Sequence, residues 1–141
     1  MTCSAASAKV LWHDIVHITT SRLQSNISWS YDGSRITSSS GSYSWYKATA
    51  TGWFGPYDLS SVISRPSNNM HEVRTSGHFT NPGIFCTGVT VTSYIDDIRV
   101  RGYANGSFDG FVDSTWTTES PSWLAWKCPN LHPHVSVQSP A

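Results

Sequence analysis

Between Leu23 and Tyr31 the chain alternates: Leu23, Ile27, Trp29 and Tyr31 share one parity, and Gln24, Asn26, Ser28 and Ser30 the other. A period of two is the pattern of a strand with one apolar and one polar face. Helical spacing appears only within Lys9–Leu23, and that stretch holds the run Ile15-Val16-His17-Ile18-Thr19-Thr20. β-Branched side chains lose rotamer freedom in a helix, so this stretch too reads as extended.

Turn residues divide the rest. Asp32-Gly33 supplies a two-residue hairpin turn that sets Trp29 opposite Ile36 and Tyr31 opposite Ser34. Ser38 to Ser42 reads as a flexible connector, followed by a strand from Tyr43 to about Ala50. Thr51 to Asn69, punctuated by Gly52, Gly55, Pro56 and Pro66, reads as a long irregular region. A strand from His71 to Phe79 places Val73, Thr75, Gly77 and Phe79 on one face and Glu72, Arg74 and His78 on the other. Asn81-Pro82-Gly83 turns the chain into a strand from Ile84 to Tyr94.

The last hairpin admits two registers. A two-residue loop at Asn105-Gly106 would set Ile98 against Asp113 and mix the faces. A three-residue loop, Ala104 to Gly106 with Gly106 left-handed, sets Ile98 against Val112, Tyr94 against Trp116, Arg101 against Asp109 and Asp97 against Asp113. The three-residue loop keeps one side apolar and is the expectation. The pattern predicts an all-β domain, an antiparallel β-sandwich or barrel of about 7–9 short strands. It spans residues 10–141, with a flexible arm over 1–9 and an irregular C-terminal segment over 118–141.

Composition limits the partners. Nine Lys+Arg balance nine Asp+Glu, and charged residues make up 13%, while aromatics also reach 13% with seven Trp. A neutral chain has no field to draw it onto nucleic acid or an anionic membrane, and its aromatic content is that of a folded domain. No run reaches the ~18 apolar residues of a membrane span. Arg99, Arg101 and Tyr103 resemble a stacking-and-charge patch for single-stranded nucleic acid, but Asp109 opposite Arg101 neutralises it. Abundant Ser, Thr, Trp and Gly with scarce Lys and Glu point to secretion, Met1 reading as an added initiator and the export signal as cut away before Thr2. Of three cysteines, Cys86 and Cys128 lie in patterned regions and form the expected disulfide. Cys3 is left free to bridge to a partner subunit.

Catalytic patterns are weak. Cys128-x3-His132-x-His134 lacks a second cysteine pair, His13 and His17 lack a nearby Glu, and Asp96-Asp97 stand alone as oxygen ligands, so no metal or cofactor is expected. Glu72 and Glu119 are the only glutamates, and no Gly-x-Ser-x-Gly elbow accompanies the serines. Aromatic clusters remain. Trp53-Phe54-Gly55-Pro56-Tyr57 sits in an expected loop, and Trp123 and Trp126 in the irregular tail. These rings either face solvent as a binding surface for a protein or glycan, or fold inward to cap the sandwich.

Ile27-Ser28-Trp29-Ser30-Tyr31-Asp32-Gly33, Gly83-Ile84-Phe85-Cys86 and Cys128-Pro129-Asn130-Leu131-His132 together resemble small secreted, Ser/Trp-rich, disulfide-linked β-proteins of actinobacteria. The resemblance implies export and a β fold and carries no catalytic residue. By analogy with adaptor subunits of extracellular toxin particles, it suggests an assembly partner. The leading expectation is therefore a secreted, non-catalytic module that binds a protein partner. A carbohydrate-binding module using Trp53, Phe54 and Tyr57 is the second, and a small hydrolase the third.

Overall fold

The structure, a computed structural model, describes residues 2–14, 18–86, 88–123 and 131–138. Eight strands follow in order: β1 (Thr2–His13), β2 (Thr19–Tyr31), β3 (Ile36–Lys47), β4 (Phe54–Ser64), β5 (Met70–Cys86), β6 (Val89–Tyr103), β7 (Phe108–Ser120) and β8 (His132–Gln138). They form two four-stranded sheets, β3-β2-β1-β8 and β4-β5-β6-β7, and every neighbouring pair is antiparallel. The fold is an all-β sandwich, as expected, though its strands are longer than expected, β5 reaching 17 residues.

Period-two patterning builds the core. Val10, Trp12, Leu23, Ile27 and Trp29 of the first sheet meet Val73, Phe79, Val91, Ile95, Ile98 and Val100 of the second, all at most 3% exposed. Burying such side chains stabilises by about 1.5–3 kcal/mol each before the entropy of ordering is subtracted. Two hydroxyls join the sheets through the core: Thr75 Oγ1 donates to Ser25 Oγ at 3.1 Å, and Ser25 Oγ donates to the Val73 carbonyl at 3.2 Å.

Residues 2–9 are no flexible arm. They belong to β1, which pairs with β2 from Thr2 and with β8 from Ser7, and Ala6 and Ala8 are buried. The small side chains that suggest a frayed end answer a packing demand: a Cβ on Gly110 of the facing sheet would lie 3.0 Å from Ala8 Cβ. Within the expected irregular tail 118–141, β7 continues to Ser120 and His132–Gln138 forms β8 along β1.

Three further expectations are corrected. The first hairpin has a four-residue loop, Asp32 to Arg35, and pairs Tyr31 with Ile36 and Trp29 with Ser39. The Asp32 carboxylate accepts from Ser34 N, Ser34 Oγ and Arg35 N at 2.9–3.0 Å, which closes the wider loop and holds that carboxyl below its usual range. Ser38–Ser42 is no connector but the middle of β3, in register with Ser30 to Asn26. The region 51–69 is mostly β4, an edge strand whose pairing with β5 breaks at two places between Phe54 and Ser60.

The β5 faces match the expected parity, with Val73, Thr75, Gly77 and Phe79 buried. The strand nevertheless continues past Asn81 to Cys86. Asn81 is fully buried and accepts from the N–H groups of Gly83, Ile84 and Phe85 while donating to the Thr51 carbonyl at 2.7 Å. The last hairpin has the expected loop and register, with Gly106 at φ +87° and Ile98 opposite Val112.

Candidate functional site

The aromatic pentapeptide does not stay together. Trp53 is fully buried, its ring 5.4 Å from Phe85, and caps the end of the sandwich as core. Phe54 and Tyr57 open β4 and are 45% and 48% exposed. Trp123 is 73% exposed, while Trp126 and Cys128 lie outside the described residues. Cys86 is buried. Cys3 is an exposed free thiol on β1, 3.3 Å from Ser30 Oγ.

A grouping that the sequence did not reveal runs across the outer face of the second sheet. Tyr57, His78, Tyr94 and Trp116 occupy successive strands in register. Their ring centroids are 5.5, 5.0 and 5.1 Å apart. Tyr94 and Trp116 lie 11° from parallel, an offset stack in which each ring covers one face of the other. Tyr57 and Trp116, at the two ends of the row, are the more exposed, at 48% and 43%. Asp58 Oδ2 lies 3.5 Å from His78 Nδ1, but the Asp58 side chain is 90% exposed and the pair stands on an open sheet face.

Tyr94 was expected on the face of Ile98 and lies on the opposite one. A bulge causes the switch: Asp97 adopts φ +50° and interrupts the β5–β6 pairing between Thr75/Ile98 and Gly77/Ile95. Ser76 Oγ donates to Asp97 Oδ1 at 3.0 Å and accepts from Asp97 N at 3.2 Å. The extra residue lets Ile95 and Ile98 both point inward.

Beyond the bulge the same face is charged. Glu72, whose side chain is 7% exposed, accepts from Arg99 Nη1 at 3.0 Å and Arg101 Nε at 2.6 Å. Arg99 also forks onto Asp113 at 2.8 and 2.9 Å. Arg101 stands opposite Asp109 in register, as expected, but its hydrogen bond goes to Glu72, and its guanidinium lies 4.8 Å over the Phe111 ring. The Arg99 hydrogen bonds hold the Asp113 carboxyl below its usual range, and the bond to Glu72 raises Arg101.

A third cluster ties the sheets together at one edge. Ser39 Oγ lies 2.7 Å from Nδ1 of His71, which is 6% exposed. Arg65 donates from Nε to Ser39 Oγ at 3.1 Å and from Nη2 to the Ser39 carbonyl at 3.0 Å. Burial, with the Arg65 charge behind it, lowers the His71 pKa.

On the first sheet, Cys3, Ser28, Ser30, Ser38 and Ser40 line a shallow hydroxyl-rich groove of about 400 Å³. The His13 ring lies 5.7 Å from His132 and 6.0 Å from His134, an approach that follows from the β1–β8 pairing. Among the described residues no group of three or more His, Cys, Asp or Glu is placed to hold a metal ion, and no helix is long and apolar enough to cross a membrane. No protein-family model, curated protein or solved structure matches the chain.

Proposed function

We propose that this chain is an exported, non-catalytic interaction module, stapled by a Cys86–Cys128 disulfide, that binds a protein partner through the side formed by edge strands β3 and β4. The observation that carries this reading is where large apolar side chains meet solvent. Tyr43, Trp45 and Tyr46 on β3, and Phe54, Tyr57 and Val62 on β4, are 42–52% exposed. Both strands are the outermost of their sheets on that side, and they contact each other. Aromatic rings on a rigid scaffold bury large area at low entropic cost, which suits an adaptor subunit of an extracellular assembly.

The test is capture of partners from culture supernatant by the wild-type protein and by a Trp45→Ser/Tyr57→Ser variant, with circular dichroism as the folding control. Loss of a wild-type partner in the folded variant is expected. Equal capture by both overturns this assignment of the binding side. A glycan-binding reading is favoured by the exposure of Tyr57 and Trp116 at the ends of the aromatic row. A glycan-array signal lost on Tyr57→Ala would support that reading in place of a protein partner.

A further inference from the structure

Four strands border the two sheets: β3 and β8 in the first, β4 and β7 in the second. Unpaired edges invite pairing with other chains, and natural sheets protect them with charge, proline or irregularity. β4 carries Pro56, Asp58 and two breaks in register, β7 carries Asp109, Asp113 and Glu119, and β8 carries Pro133. β3 differs. From Thr37 to Tyr46 it has no charge and no proline, and its one irregularity lies at its start, where the pairing skips Thr37.

The fold itself covers the first part of this edge. The Ile36 N–H donates to the Asn68 carbonyl at 2.7 Å, and Arg65 caps the Ser39 carbonyl. Past Ser39, among the described residues, no strand is hydrogen-bonded to the outer edge of β3. Because the Ser39 carbonyl points outward, strand alternation turns the N–H and C=O groups of Gly41, Tyr43 and Trp45 outward as well.

We infer that two copies of this chain pair antiparallel along this uncapped part of β3, about a two-fold axis at Tyr43, to make one continuous eight-stranded sheet. The inference rests on the reading of the β3/β4 side as an interface and names its occupant. A strand pairs with its own copy well only if its sequence is self-complementary about the axis, and this one is. Tyr43 meets Tyr43 of the second copy, and Gly41 meets Trp45, so the indole lies across a position with no side chain. Gly41 cannot carry one, since its Cβ would come within 2.6 Å of Val73. On the other face Ser42 meets Ser44 and Ser40 meets Tyr46. Lys47 falls opposite the capped Ser39, where pairing stops; no two charges within the paired stretch meet, and the approach of Lys47 to the Arg65 guanidinium at each end is a local cost of the pairing. The three outward pairs each exchange two backbone hydrogen bonds, and Tyr43, Trp45 and Tyr46, now 42–48% exposed, lose solvent contact.

In such a pair the Tyr43 Cα atoms lie about 5.5 Å apart, inside the span of a disulfide. The test uses the full chain in light scattering across a concentration series, together with Tyr43→Cys in a Cys3→Ser background and Ser107→Cys as the crosslinking control. The expected results are a concentration-dependent dimer, rapid intermolecular crosslinking of Tyr43→Cys but not of the control, and a Tyr43→Lys variant that keeps its melting temperature while the dimer weakens on the order of tenfold. A protein that stays monomeric, with Tyr43→Cys crosslinking no faster than the control, overturns the pairing. So does a dimer indifferent to Tyr43→Lys. A monomer whose captured partner is lost on Tyr43→Lys overturns the pairing but upholds the β3/β4 side as an interface.

Discussion

On one side of Asp97 the outer face of the second sheet is closed by charge, and on the other by rings. Glu72 is nearly enclosed by Arg99 and Arg101, whereas Tyr94 is enclosed by His78 and Trp116. The two halves share β5, β6 and β7, the aromatic row adding Tyr57 from β4, and one bulge separates them. The charged half draws its strength from directed hydrogen bonds between ions, and the aromatic half from contact area. Added salt screens the first and leaves ring packing in the second largely untouched.

Glu72→Ala has the largest expected effect, a loss of about 2–3 kcal/mol in urea unfolding, because two guanidinium groups lose a nearly buried acceptor. Their partial exposure keeps the loss below that of a fully buried pair. Tyr94→Ala comes next, at about 1.5–2 kcal/mol, from lost area and two ring contacts. Its cost stays the same in 1 M NaCl. If Glu72→Ala proves the milder change, the ranking of the two halves is reversed.

The smallest expected effect concerns Asp113. The Arg99 hydrogen bonds hold its folded pKa below the usual carboxylate value, so its contribution is complete above that usual value and is lost as pH falls through the folded one. Thermal melts are expected to show the wild type losing about 1–3 °C more than Asp113→Asn between pH 5 and pH 2.5. At pH 7 the gap between the two closes in high salt. Parallel melting curves at both pH values would remove Asp113 from the charged half.

Regular patterning made part of this legible. Ile98 opposite Val112 follows from alternation and one left-handed glycine, both local. The buried parity of β5 follows in the same way. The face of Tyr94 does not, because it depends on a bulge set by the Ser76–Asp97 hydrogen bonds between strands. β1 and the middle of β3 were hidden for another reason. Their Ala, Ser and Gly side chains resemble a linker by composition, yet small residues are what close approach requires, as at Ala8 beside Gly110 and Gly41 beside Val73. Of the residues expected to bind, Phe54, Tyr57 and Trp123 reach solvent, and Trp53 is core. The row that Tyr57 joins depends on register across four strands, which alternation within any one strand does not specify.

β1 sits between β2 and β8, the second and the eighth strands to be made. During synthesis it can pair at once on one side, but the other side waits until β3 to β7 have been made and β8 emerges. Through that interval its Lys9-Val10-Leu11-Trp12 segment has an open backbone edge, a vulnerable state for a sheet protein. The first sheet is therefore complete only once β8 is in place, and a chain cut short before His132 is expected to keep that edge of β1 open and to aggregate more readily than the full chain.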